Sequence, residues 1–303
     1  MSNLIIQTTN LTKTYGKTNV VDHLNLTMQQ GDIYGFLGPN GAGKTTTIRM
    51  LLGLIKPSKG GIEILGKSLA KHKLEILRNT GSLVEYPSYY GHLTATQNLE
   101  AIRLILDVPK SRIDEVLTIV GLTKEANRPV KGFSLGMKQR LGIAASLLGQ
   151  PKLLILDEPT NGLDPMGIHE IRELIKELPK KYGITILISS HLLSEVEQMA
   201  NVVGIISKGK MVFQNTLEEL KKQSISEMKF VVSESEDALW LARDLGFVGT
   251  LQNNVLSFSH MQDDQVARLV THLVEHRHQI YRVEQARQSL EDIFMDLVGK
   301  ENL

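Results

Sequence analysis

Gly38-Pro39-Asn40-Gly41-Ala42-Gly43-Lys44-Thr45-Thr46 is the stretch on which the fold turns. Upstream, Ile33-Tyr34-Gly35-Phe36-Leu37 is an apolar run of strand length, and downstream Thr47-Ile48-Arg49-Met50-Leu51-Leu52 reads as the first turns of a helix. A strand, a Gly-rich loop and Lys-Thr at a helix start together form a phosphate-binding P-loop. The glycines let successive backbone N–H groups turn inward on a phosphate, and the helix N-terminus adds partial positive charge. Lys44 is expected between the β- and γ-phosphates, with the Thr45 hydroxyl on Mg²⁺. The stretch therefore predicts an α/β chain that binds a nucleoside triphosphate.

A second decisive run is Lys152-Leu153-Leu154-Ile155-Leu156, which ends in Asp157-Glu158. A strand that is apolar on both faces belongs in the middle of a parallel sheet, with its last residues at the ligand-binding edge. Downstream of a P-loop these acids occupy the Walker B position. Asp157 is expected to hold Mg²⁺ through water and Glu158 to orient or deprotonate the attacking water. Gly183 to Ser190 is another buried strand, ending at His191. A His at a strand tip can hydrogen-bond a γ-phosphate, but a lone His is more often structural. The residues alone leave both readings open.

Towards the N-terminus, residues 3–8 and 24–28 read as short strands around a turn at Gly16 and Lys17. Tyr15 either stacks on adenine or packs half-buried on a sheet edge. Beyond the P-loop helix, Lys56 to Gly61 reads as a turn, Ile62 to Gly66 as a strand and its hairpin end, and Ser82 to Val84 as a strand ending at Glu85. Tyr86-Pro87-Ser88-Tyr89-Tyr90-Gly91 predicts an exposed loop whose aromatics suit a partner surface.

Thr94-Ala95-Thr96-Gln97 is a capping box that opens a helix through Leu106, which gives Gln97 a structural task. A second helix over about 110–120 ends at Gly121. Ser134 is the expected N-cap of a third, whose Gly142, Ala144, Ala145 and Gly149 make one side small. Residues 92–150 thus read as a helical subdomain inserted into the α/β core. Asn161 to Pro165 is a turn, and Gly167 to Leu178 an amphipathic helix.

Composition bounds the remaining possibilities. The 303 residues are 42% hydrophobic and 22% charged, ordinary for one large or two smaller globular domains. A net charge of +1 gives no electrostatic reason to expect nucleic acid as a partner. The absence of cysteine excludes disulfides and thiolate metal sites. The first residues show no basic segment followed by an apolar core, so no secretory signal is expected. No apolar run approaches the ~20 residues of a membrane span. At a membrane, another chain would supply the spanning segments.

From about Thr216 a β-α-β-β-α-β order emerges, with Asn253-Asn254 as a hairpin turn, which suggests a small ferredoxin-like α+β accessory domain. His272 and His276 are spaced i, i+4 near His278, a pattern that can hold Zn²⁺, but Glu275 and Arg277 favour a solvated helix end. Nothing in this part reads as catalytic.

In chain order, the P-loop, Ser134-Leu135-Gly136, Leu156-Asp157-Glu158-Pro159, Gly162-Leu163-Asp164-Pro165 and Ser189-Ser190-His191 resemble the nucleotide-binding subunit of an ABC transporter. The resemblance implies an ABC ATPase domain over residues 1–215 and an accessory domain over 216–303. It implies ATP and Mg²⁺ as ligands, with Gly38 to Thr46 on the phosphates and Tyr15 on the adenine. Ser134 and Gly136 match the signature motif, which touches ATP bound by an opposite, head-to-tail subunit. Asp164 matches the D-loop and His191 the switch histidine.

The resemblance further implies a separate membrane permease, contacted by the loop around Glu85 to Tyr90, and a cytoplasmic location on the inner face of the membrane. The family usually has Gln where this chain has Glu85, and a carboxylate there could ligate Mg²⁺ but not donate an amide N–H. The signature departs as well, since Phe133-Ser134-Leu135-Gly136-Met137 replaces Leu-Ser-Gly-Gly-Gln. These features are similar to those of the bacitracin and lantibiotic resistance ATPases of Gram-positive bacteria, which implies export of a peptide antibiotic. A cassette that senses and hydrolyses slowly is the competing reading. A nucleic-acid-linked ABC ATPase would predict long coiled coils or two cassettes, and neither pattern is present.

Overall fold

The computed structural model of the chain describes residues 4–84, 88–223, 226–259, 261–287 and 289–299. It divides into two compact units: one runs to Glu218 and takes up the chain again from Leu297, and the other spans Glu219–Asp296.

The first unit begins with β1 (Leu4–Tyr15), β2 (Thr18–Leu24) and β3 (Thr27–Gln29). β4 (Ile33–Leu37) leads to α1 (Lys44–Leu51), followed by β5 (Lys59–Ile64) and β6 (Lys67–Ser68). An antiparallel sheet has the order β2-β1-β5-β6, and β3 also pairs with β1. Two expectations are corrected here. β1 is one long strand rather than a stop at residue 8, because its register shifts let it serve β3 and β5 at one end and β2 at the other. Lys59 to Gly61, read as turn, lie in β5, where Gly61 pairs with Thr9 and Lys59 with Thr12.

Next come α2 (Leu69–Arg78) and β7 (Thr80–Leu83), then the helices α3 (Ala95–Leu106), α4 (Ser111–Ile119) and α5 (Leu135–Leu147). Thr94 caps α3 reciprocally with Gln97: Gln97 N–H donates to Thr94 Oγ1 at 3.2 Å, and Thr94 N–H to Gln97 Oε1 at 2.9 Å. Tyr89 corrects the picture of a loop of displayed aromatics. Its hydroxyl donates to Lys138 O at 2.7 Å, and burial pushes its phenol well above the ordinary range. Tyr90 is exposed, while Glu85, Tyr86 and Pro87 lie outside the described residues.

β8 (Leu153–Asp157), α6 (Pro165–Tyr182), β9 (Thr185–Ser190), α7 (Leu193–Glu197), β10 (Val202–Ser207), β11 (Lys210–Thr216) and α8 (Leu217–Lys222) follow. α6 outruns the expected helix at both ends. Asp164 caps it, Pro165 occupies its first turn, and Gly183 closes it in the left-handed region. The second sheet has the order β11-β10-β4-β9-β8-β7, parallel throughout except for β10/β11. Every residue of β8 and β9 is buried, which explains the apolar runs Leu153 to Leu156 and Ile186 to Ile188. One core joins Ile6, Met28 and Ile64 of the first sheet, Ile48 and Met50 of α1, and Phe36, Ile155 and Leu187 of the second. Each such fully buried side chain contributes about 1.5–3 kcal/mol relative to exposure.

The second unit contains β12 (Ser226–Val232), α9 (Ser235–Asp244), β13 (Gly249–Gln252), β14 (Val255–Ser259), α10 (Asp263–Glu275) and β15 (Ile280–Arg287), and α11 (Leu290–Gly299) follows. Its antiparallel sheet has the order β13-β14-β12-β15, the strand order of a ferredoxin-like unit. Phe230 and Phe258 meet edge to face at 5.5 Å within its core. His278 is buried, with Nδ1 2.9 Å from Ser233 O and Nε2 3.1 Å from Asp237 Oδ2, so it serves this unit's packing. His276 Nδ1 lies 2.8 Å from His272 O.

Candidate nucleotide site

The parallel register places the site. Leu37, the last residue of β4, pairs with Ser190 of β9, and Ser189 pairs with Asp157 at the end of β8. Three neighbouring strands therefore end level. The loops that leave them carry Gly38–Thr46, His191 and Glu158 to one edge of the sheet, where ligands of such sheets bind.

The loop from Gly38 to Gly43 wraps over the start of α1. Gly43 takes φ 108°, and a Cβ there would lie 2.7 Å from Val20 O, so both backbone angle and space require glycine. Lys44, the first residue of α1, is buried, and its Nζ donates to Gly38 O at 2.7 Å. The same atom lies 3.6 Å from Glu158 Oε1. Burial pulls the Lys44 ammonium below the usual lysine range, and the Glu158 and Asp157 carboxylates act against that pull. A phosphate entering this loop would meet a desolvated cation and an unpaired helix N-terminus. Asn40 and Gly41 are exposed, while Pro39, Thr45 and Thr46 are half-buried.

Asp157 is buried and accepts a hydrogen bond at 2.5 Å from Ser189 Oγ. That serine oxygen in turn accepts from the Glu158 N–H at 2.9 Å. Glu158 takes a left-handed φ of 47°, which turns its side chain out of the strand's alternation. Its Oε2 accepts from His191 Nδ1–H at 3.0 Å, the tautomer fixed by an acceptor-only carboxylate. Glu158 is thus held between Lys44 and His191. The Thr45 hydroxyl and the Asp157 carboxylate are hard oxygen donors of the kind that Mg²⁺ takes. Glu85 lies outside the described residues.

Ser134, Gly136 and Asp164 are placed elsewhere. They line a cleft of about 440 Å³ with Met137, Arg140 and Glu170, and no P-loop residue reaches it. Ser134 Oγ accepts from Met137 N–H at 3.2 Å and Asp164 Oδ1 from Gly167 N–H at 2.8 Å, so each caps its own helix. Tyr15, half exposed at the end of β1, carries Lys13 Nζ 5.0 Å above its ring.

The sequence alone does not mark Ser189, Thr160 or Glu195 as site residues. Ser189 lies in the Ser-Ser-His motif, but its bridging task depends on β8 lying alongside β9. Thr160 Oγ1 donates to Glu195 Oε2 at 2.6 Å. Neither residue stands out by type or spacing.

Among the described residues, no helix is long and apolar enough to cross a membrane. The ABC transporter family model matches residues 21–161, and that for the C-terminal domain of DrrA1-3-like ATP-binding proteins matches residues 216–298. The chain is 51% identical to the bacitracin transport ATP-binding protein BcrA of Bacillus licheniformis, over 97% of each chain. It is 46% identical to the lantibiotic transport ATP-binding protein SrtF of Streptococcus pyogenes, over 71% of this chain and 95% of that one. The ATP-binding cassette MJ0796, solved as a dimer in a post-hydrolysis state with ADP and Pi, aligns with a TM-score of 0.63 and 25% identity, over 70% of this chain and 98% of that one. This chain belongs to the ABC transporter family, as one of its ATP-binding, ATP-hydrolysing subunits.

Proposed function

We propose that the chain powers a separate membrane permease that exports a peptide antibiotic of the bacitracin or lantibiotic class and so confers resistance to it. The observation that carries the energetic half of this reading is Glu158, set between Lys44 and His191 at the level ends of three strands. The substrate half draws on BcrA and SrtF, whose names record bacitracin and lantibiotic transport.

In this reading the backbone N–H groups of the loop, Pro39 excepted, cradle the phosphates of ATP, and Lys44 moves its charge from Glu158 to them. Tyr15 exchanges its Lys13 contact for the adenine face. Thr45 and Asp157, together with Glu85, would hold Mg²⁺, which would supply charge neutralisation at the phosphates. Glu158 accepts the proton of the attacking water, and His191 keeps that carboxylate in place.

Ser134, Gly136 and Asp164 line a cleft that no P-loop residue reaches, which suits a head-to-tail pair in which each subunit completes the other's site. The MJ0796 cassette, solved as a dimer with ADP and Pi, gives the pairing of two cassettes a precedent. The domain that hydrolyses ATP is assigned to residues 1–215 and the accessory domain to 216–303, on the inner face of the membrane beside the permease.

The test is antibiotic susceptibility of a host carrying Glu158→Gln, against bacitracin, several lantibiotics and unrelated drugs. Selective sensitisation to one peptide class is expected. An unchanged profile at normal protein levels would overturn the peptide assignment and leave ATP hydrolysis standing.

A further inference from the structure

We propose that Glu195 is a positioning residue for ATP hydrolysis: a single carboxylate oxygen ties the chain just beyond Glu158 to the chain just before His191. The proposal rests on the roles given to Glu158 and His191 above. Glu195 Oε2 accepts from Thr160 Oγ1 at 2.6 Å and from Ser190 Oγ at 3.2 Å. Thr160 stands two residues after Glu158, and Ser190 is the immediate neighbour of His191. Both hydroxyl-bearing residues are buried, so a lost acceptor is not replaced by bulk water at low cost.

The need for such a clamp follows from the backbone. Glu158 occupies the left-handed region with a side chain, a conformation that persists only where its surroundings hold it. Ser189 holds it from the strand side through the Glu158 N–H. Beyond the strand the chain turns away at Pro159, and the Thr160–Glu195 bond is its next anchor. On the other side, the Ser190 hydroxyl also accepts from Leu192 N–H at 3.0 Å and has Leu192 O at 3.3 Å as its other acceptor. The charge-assisted bond to Glu195 directs that hydroxyl towards Thr160.

Glu195 itself stands on a fixed base. Leu193 and Val196 of α7 are buried, and Val196 Cγ1 lies so close to Gly35 of β4 that a Cβ there would meet it at 2.1 Å. The strand that feeds the P-loop therefore carries the helix that carries the clamp. Among the described residues, the Glu195 side chain makes its hydrogen bonds to Thr160 and Ser190 and none to Gly38–Thr46. It acts by keeping His191 Nδ1 and Glu158 Oε2 at their 3.0 Å separation.

The test uses the full chain with Glu195→Ala, Glu195→Gln and Thr160→Val, each read by ATPase kinetics and by the His191 Nδ1–H resonance in ¹⁵N-histidine-labelled protein, assigned through His191→Asn. Gln keeps an acceptor oxygen at the same reach. Glu195→Ala is expected to lower kcat by roughly 10- to 100-fold, as for a reacting group misplaced by about an ångström, with KM for ATP within about twofold. The His191 resonance is expected to be lost through exchange. Glu195→Gln is expected to retain both the resonance and most of kcat.

Native kcat in Glu195→Ala, or equal losses in Glu195→Ala and Glu195→Gln, would overturn the proposal. Should Glu195→Ala fail to fold, Thr160→Val decides: a native kcat and a native resonance there overturn it too. If Glu158→Gln and His191→Asn both turn over normally, the roles of those two residues fail. The resonance still reports whether Glu195 sets the geometry.

Discussion

Lys44 Nζ stands 3.6 Å from Glu158 Oε1, so the cation of the phosphate loop and the carboxylate beyond β8 share one electrostatic site. Replacing Glu158 by Gln keeps the side chain's shape and removes its basicity. Turnover is expected to fall by about 10²- to 10⁴-fold, the range of general acid–base catalysis, while ATP affinity is retained. Single-turnover hydrolysis beside equilibrium ATP binding measures both. Near-equal rates for the two chains would instead support a slow sensing cassette.

Lys44 gives a prediction with a pH sign. Burial holds its pKa below the ordinary 10.5, so between the lowered value and 10.5 the unfolded chain binds this proton more firmly than the folded one. The cost to stability is fully present at neutral pH and is relieved as pH rises towards 10.5. Lys44→Ala removes that cost and the phosphate contact together. Without ATP its melting temperature is expected to match or exceed that of the native chain, and the difference should shrink in alkaline buffer. ATP at about 100 times the native Kd stabilises the native chain by about 2.7 kcal/mol, and Lys44→Ala should lose that gain. Thermal melts with and without ATP across pH 7 to 10 report all three.

Asp164 separates capping from chemistry. Its Oδ1 accepts the Gly167 N–H at 2.8 Å, and Asn caps about as well as Asp while Ala costs about 1 kcal/mol. Asp164→Asn is therefore expected to melt like the native chain and Asp164→Ala a few degrees lower. If Asp164 also serves the opposing subunit's nucleotide, Asp164→Asn will still lose turnover. Equal activity in Asp164→Asn and the native chain would confine the residue to capping.

Much of this architecture was legible because local chemistry and tertiary position agree. Residues 33–37, 153–156 and 186–188 are near-continuous apolar runs, and a strand of that kind fits the middle of a covered parallel sheet. The Thr94 to Gln97 box and the Asn253-Asn254 turn are local devices, each with its own geometry. What stayed hidden depends on register. Thr160, Ser189 and Glu195 are unremarkable as residue types: Thr160 meets Glu195, and Ser189 meets Asp157, only once β8 and β9 lie side by side with Asp157 opposite Ser189. Tyr89 misled for a similar reason. Its flanking Pro and Gly mark a loop, but the Lys138 carbonyl that takes its hydroxyl comes from the signature helix.

Gly35 offers a test that links packing to the site. Gly35→Ala would place a Cβ 2.1 Å from Val196 Cγ1 and 3.3 Å from Ala200 Cβ, so α7 must shift away from β4. Overpacking of this kind costs about 1–3 kcal/mol, and at roughly 2–4 °C per kcal/mol it should lower the melting temperature by several degrees. The same shift draws Glu195 away from Thr160 and Ser190, so turnover should fall with stability. Val196→Ala removes the clashing methyl and is itself a cavity-forming change. In one chain the two substitutions compensate: the double variant is expected to melt above Gly35→Ala and to regain turnover, a coupling that additive effects cannot produce. A Gly35→Ala chain that melts and turns over like the native one would show that α7 has room to move, and with it that Glu195 is not held by the strand leading to the phosphate loop.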